Sequence, residues 1–266
     1  AEPCLADDNK HSILDRGIPD FFSGGWAQWN WDRYGLMREE ADKGRELSGR
    51  PISDIAPTGL GTDGPFTVAC QLRAPDALCL DMYLDPNYYH ALMSLVTEAT
   101  IQRIRAYRRI LGQPEESRAL GFADDYVQLV SVATYREYIL PYHRRLVEAF
   151  GADGPNAIHL CGDATHLFAT IHEELKVDSF DTGYPVDFGA LRAELGPDVQ
   201  ILGGPRVRLL RDGPPAAIDA EVARIMDSGV REGGRFVLRE ANNCAPHTPL
   251  KHITVMYEAC RKYGRY

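Results

Sequence analysis

The chain has 266 residues, 38 of them acidic and 29 basic, for a formal net charge of -9. That balance argues against a general nucleic-acid binder, whose affinity comes largely from neutralising phosphates. Hydrophobic residues make up 44% of the chain, enough for one large core, and no stretch approaches the roughly 20 apolar residues of a membrane span.

The sequence opens at Ala1 without a charged-then-apolar leader, so it reads as lacking a signal peptide. The six cysteines are scattered without C-x-x-C pairs, which favours reduced thiols and a cytoplasmic location over a disulfide framework. Residues 1–57 read as an irregular excursion of the same domain. Trp26, Trp29 and Trp31 fall there in a Gly-, Asp- and Arg-rich segment, ahead of a charged helical stretch over 34–47. Across 58–266, short apolar runs alternate with longer helical patterns, the signature of βαβ units feeding a parallel α/β sheet. The six strand candidates are 65–69, 119–122, 157–161, 179–181, 199–202 and 235–239.

Helix starts are marked by N-cap residues ahead of a first-turn proline at Asp85-Pro86 and Thr248-Pro249, and by Pro214-Pro215 ahead of 216–228. Pro141, inside the helical pattern 133–150, should kink that helix or split it. Arg103, Arg105, Arg108 and Arg109 read as a solvated helix face. No internal repeat or linker supports a second domain.

The densest chemistry lies in Ile158-His159-Leu160-Cys161-Gly162-Asp163, read with the distant Cys244. On a strand, alternation sends His159 and Cys161 to one face and Leu160 to the other. With Cys244 they make a His/Cys/Cys set, three ligands with a fourth vertex open, which describes a catalytic zinc site. The alternative is that H-x-C is a chance pairing and that a lone buried cysteine serves as a small hydrophobe. Asp163 is placed to cap a helix over 164–175.

Four blocks occur in one order: Gly64-Pro65-Phe66-Thr67-Val68-Ala69; Asp124-Asp125 followed by Tyr138-Ile139-Leu140-Pro141-Tyr142; His159-Leu160-Cys161-Gly162; and Asn243-Cys244 with Thr248-Pro249. On these blocks, residues from about 50 to 266 resemble the uroporphyrinogen decarboxylase superfamily, and the H-x-C with a distant Cys is similar to its zinc-containing, corrinoid-dependent methyltransferase branch. The resemblance implies a (β/α)8 TIM-type barrel with its site at the C-terminal strand ends. The six units would then be strands three to eight of an N-terminally incomplete barrel. His159 and Cys161 would end the fifth strand and Cys244 would follow the eighth. Two departures stand out: Asp163 occupies a position where the family commonly has Asn, and Asn242, Asn243 and Ala245 flank the distal cysteine where glycines are common.

The resemblance further implies methyl transfer between a corrinoid (cobalamin) cofactor, carried on a small corrinoid-binding partner protein, and a thiol or a methylated small molecule. Zinc would be held by His159, Cys161 and Cys244. Asp124 and Asp125 would orient His159 or act as acid and base, with turn capping the competing role for Asp124. Glu240 would be a resting oxygen ligand. Asp181, Tyr184, Asn242 and Asn243 would line the pocket, and Arg206 and Arg208 would hold a phosphate or carboxylate. His166, His172, His247 and His252 read as helix or surface residues. The alternatives are metal-free decarboxylation of a porphyrinogen, carried by Asp124, Asp125, Arg206 and Arg208, and a non-catalytic barrel that binds a tetrapyrrole.

Overall fold

A computed structural model describes residues 3–52, 55–57 and 61–265. A short antiparallel pair, β1 (Glu46–Leu47) and β2 (Arg50–Pro51), follows the N-terminal helices. The main sheet comes after it: β3 (Gly121–Ala123), β4 (Asn156–Leu160), β5 (Val177–Thr182), β6 (Gln200–Gly203) and β7 (Phe236–Leu238). These five strands are parallel and pair in consecutive order. Consecutive order with right-handed crossovers places every connecting helix on the same face, the arrangement of part of a (β/α)8 barrel.

Burial alternates along the strands as a one-sided core requires. Ile158, Leu160, Phe180 and Ile201 are buried, whereas His159 and Asp181 are only partly covered. The face that carries Ile158 and Leu160 belongs to the hydrophobic core, and the face that carries His159 is free for chemistry.

The first of the six strand candidates is a helix. Residues 65–69 begin the helix Pro65–Arg73, in which Pro65 occupies the first turn, where a missing amide donor costs nothing. A five-residue apolar run fits either period, and here the Asp124 carboxylate decides the outcome. It accepts the free first-turn amides of Phe66 at 3.1 Å and Thr67 at 2.7 Å, and the Thr67 hydroxyl at 2.7 Å. Oδ2, which takes the Phe66 amide, also meets His143 Nε2 at 2.8 Å, and both Asp124 and His143 are fully buried. A carboxylate at a helix N-terminus answers both the unpaired N–H groups and the positive end of the helix dipole. Gly64 permits the approach, because a Cβ there would overlap the Asp124 side chain. Among the described residues the sheet continues beyond β3 as a single parallel bridge between Asp63 and Ala123.

Asp85 caps the helix Pro86–Ile110 by accepting the amide of Tyr88. The helical pattern around Pro141 is split: Val132–Thr134 passes through a wide π-turn, Tyr135–Ile139, into Leu140–Phe150. Proline lacks the amide that would continue an α ladder, and the wider turn absorbs that loss. Asp163 accepts from the Thr165 hydroxyl rather than capping a helix amide, and the last helix, Leu250–Tyr263, has Pro249 at its N-cap.

In the N-terminal region Trp26, Trp29 and Trp31 lie within a regular helix, Gly25–Asp42, which starts well before the predicted position and buries none of its residues. Trp31 meets Tyr107 edge to face, with ring centroids 4.8 Å apart. Among the described residues no helix is long and apolar enough to cross a membrane.

Asp124→Ala leaves two helix amides and His143 Nε2 without their partner in the core, while His143 Nδ1 keeps the Tyr135 hydroxyl. The variant is expected to lose about 3 to 5 kcal/mol of stability in urea unfolding. A loss below about 1 kcal/mol would show that the carboxylate does not anchor this helix.

Candidate functional site

The site forms where β3, β4 and β5 end. Parallel pairing sets Ala123 beside His159 and His159 beside Asp181, so the last residue of β3, the imidazole and a carboxylate fall into one row. The backbone amide of Asp124 donates to the His159 carbonyl at 3.1 Å, and Asp124 is drawn into the core. Its neighbour Asp125 therefore turns toward β4, where Oδ1 accepts the Cys161 amide at 2.8 Å.

His159 Nε2 lies 3.0 Å from Cys161 Sγ and 3.7 Å from Asp125 Oδ1. Ligand atoms of these three residues all lie within 4.8 Å of one another, and among the described residues they form the group of this kind. Zinc bond lengths of about 2.0 to 2.3 Å in a tetrahedron place ligands roughly 3.3 to 3.6 Å apart, and the two distances from Nε2, 3.0 and 3.7 Å, bracket that spacing, so small side-chain shifts would seat one such ion. The other imidazole nitrogen, Nδ1, meets Asp181 Oδ2 at 2.9 Å. A carboxylate behind a histidine fixes the ring and its tautomer, leaving Nε2 directed at a metal.

Electrostatics follow from the same contacts. The hydrogen bond to Asp181, reinforced by the one to Cys161, pushes the His159 pKa up to about 10 against the opposing effect of burial. Asp181 is held in turn by Arg239, whose Nη1 donates to Oδ2 at 2.8 Å. Arg239 Nη2 reaches Glu240 Oε1 at 2.9 Å and the Asn242 carbonyl at 2.8 Å, and Asn242 Nδ2 donates to Cys161 Sγ at 3.0 Å.

The structure brings together His159, Cys161, Asp125, Asp181 and Asn242 from the residues expected on sequence grounds. Cys244 is exposed and outside the three-residue group. It lies two positions beyond Asn242, a reach of about 7 Å of chain. Asp124 is sealed in the core, and Glu240 is paired with Arg239. Asn243 is exposed and donates to the Asn242 side chain. Tyr184 and Arg206 stand past the ends of β5 and β6, the guanidinium 5.8 Å from the ring centroid, while Arg208 lies exposed on the short helix Val207–Asp212. His252 is buried, its Nδ1 2.8 Å from the Leu210 carbonyl.

Sequence reasoning missed Arg239, His143, Gln128 and Asp63. Gln128 accepts the Asp163 amide at 3.1 Å and packs against Gly162, whose φ of +70° and lack of a Cβ suit the turn after Cys161. The Asp63 carboxyl is raised above its ordinary range by burial and then by the charges of Asp125 and Asp124. A cavity of about 640 Å³ has Asp63 and Arg103 in its lining but none of His159, Cys161 or Asp181.

A family model described as uroporphyrinogen decarboxylase (URO-D) matches residues 51–263. A methylated-thiol–coenzyme M methyltransferase of Methanosarcina mazei is 29% identical over 202 residues, covering 74% of this chain and 51% of that protein. A uroporphyrinogen decarboxylase of Pelobacter propionicus is 26% identical over 223 residues, covering 81% of this chain and 63% of that protein. The chain thus spans between half and two thirds of the length of these curated relatives. Among solved structures, a methyltransferase from Methanosarcina mazei superposes with a TM-score of 0.69 at 16% identity, covering 100% of this chain and 72% of that one; at that identity the likeness is one of fold.

An unfolded histidine titrates near 6.5, whereas His159 in the folded chain holds its proton to about 10. Its contribution to stability in the metal-free protein is complete below about 6.5 and is lost as pH rises toward 10. Asp181→Asn is expected to bring the His159 pKa down toward 6.5 in an NMR titration of metal-free protein. An unchanged value would remove Asp181 as its cause.

Proposed function

This chain belongs to the uroporphyrinogen decarboxylase family, and on that premise we propose that it is a zinc-dependent methyltransferase. It would move a methyl group between a corrinoid cofactor, carried on a small partner protein, and a thiol or methylated small molecule. The observation that carries this reading is the convergence of His159 Nε2, Cys161 Sγ and Asp125 Oδ1, with Asp181 behind the imidazole. The methyltransferase relative supports the reading at the level of reaction class.

His159 and Cys161 would hold the zinc, with Cys244 brought in from the segment that follows Asn242. When bound, the ion supplies a Lewis acid that lowers the pKa of an acceptor thiol or polarises a methylated donor. Asp125, whose Oδ1 lies 3.7 Å from His159 Nε2, would be near enough to take the proton that an entering thiol gives up. Asn242 donates to Cys161 Sγ, which tempers the charge on that sulfur. Arg206, exposed and stacked over Tyr184 at the same end of the sheet, is placed to meet an anionic group on the small molecule.

The decarboxylase relatives give the competing reading, a metal-free decarboxylation of a porphyrinogen. It would be carried by Asp124, Asp125, Arg206 and Arg208, and of these the Asp124 carboxylate is fully buried among four hydrogen bonds. The non-catalytic reading leaves the His159, Cys161 and Asp181 geometry without a use.

The purified chain is expected to hold about one zinc ion, and His159→Ala, Cys161→Ser and Cys244→Ser are each expected to lose most of it by elemental analysis. Thiol methylation from a methylated corrinoid should fall with the metal. Full zinc content in both cysteine variants, or carbon dioxide release from a porphyrinogen without metal, would overturn the proposal.

A further inference from the structure

We propose that Arg239 is a positioning residue that aligns the metal-binding groups from two directions at once, an inference that rests on the zinc reading of this site. Its backbone amide is pinned to the Gly203 carbonyl of β6 at 2.9 Å, so the guanidinium projects from a fixed point at the end of β7. One arm of the fork, Nη1, donates to Asp181 Oδ2, the same oxygen that meets His159 Nδ1. The other arm, Nη2, bonds the carbonyl of Asn242, whose side chain bonds Cys161 Sγ. One planar cation therefore ends two short paths, one through a carboxylate to the imidazole and one through an amide to the thiol.

The fork also decides what stays off the metal. A carboxylate as close as Asp181 could swing onto a cation itself, and sharing Oδ2 between Arg239 and His159 keeps it behind the ring. Glu240 is held on Nη2 in the same way. Fixing the Asn242 carbonyl sets where the next two residues start, and the second of these is Cys244. Lysine offers a single compact ammonium in place of a rigid fork and cannot serve both arms. An ordinary surface ion pair would contribute little; the four polar contacts of Arg239 and its link to both ligand residues set it apart.

The test is Co2+ titration of the whole chain, reading affinity and the absorption bands of the cobalt–thiolate centre. Arg239→Met is expected to weaken Co2+ binding by about 10- to 100-fold and to alter those bands, with the circular dichroism spectrum of the metal-free protein unchanged. Arg239→Lys is expected to recover only part of the loss. Asp181→Asn should weaken binding comparably, and the double variant should be less impaired than the product of the two single effects. Wild-type affinity and spectrum in Arg239→Met, or full multiplicativity in the double variant, would overturn the positioning role while leaving the zinc site standing. If Arg239→Met does not fold, Arg239→Lys and Asp181→Asn decide by the same two readouts. Failure of the unaltered chain to bind Co2+ or zinc would overturn the zinc reading, and the role of Arg239 with it.

Discussion

Two aspartates in succession, Asp124 and Asp125, face opposite environments, and the site depends on that divergence. Asp124 is committed to the core by two helix amides, a threonine hydroxyl and His143. A buried carboxylate with this many donors has no competing position, because moving it would strand each donor. The end of β3 is therefore fixed against both the helix Pro65–Arg73 and the helix that carries His143. Asp125, one residue on, has its direction set by that anchor, and its carboxylate reaches the Cys161 amide and the neighbourhood of His159.

From that fixed edge the parallel register does the rest. Because β4 lies beside β5 with His159 opposite Asp181, the imidazole gains its carboxylate from backbone pairing rather than from a flexible loop. Strand alternation keeps Ile158 and Leu160 in the core, which ties the orientation of His159 to a large apolar burial. A one-residue slip would invert both sets. The chemistry and the stability of this part of the sheet are thus specified by the same pairing.

Much of this was legible in the sequence where the signal is local. The H-x-C alternation at the end of β4, with Cys161 one residue past the strand, the Asp85-Pro86 helix start and the break at Pro141 each depend on residues a few positions apart, and each is found. The run 65–69 reads as a strand because five apolar residues do not distinguish a helix from a strand; the deciding partner, Asp124, lies 57 to 58 residues away. Arg239 carries no local signal for the same reason: its partner Asp181 is 58 residues distant. The tryptophans of Gly25–Asp42 hid a helix because that helix buries none of its side chains and so lacks an apolar stripe. Cys244 shows the converse. Its residue type drew attention, but its exposed position follows from a segment whose course no local pattern describes.

The proposed function requires that His159 and Cys161, with Cys244, hold a thiolate-rich metal centre open to a substrate thiol. X-ray absorption at the zinc edge, taken on the zinc-loaded chain before and after adding a small thiol, tests it most directly. The expected result is a mixed shell with two sulfur neighbours at about 2.3 Å, rising to three once the thiol is present. A shell of oxygen and nitrogen alone, unchanged by any thiol, would contradict the account.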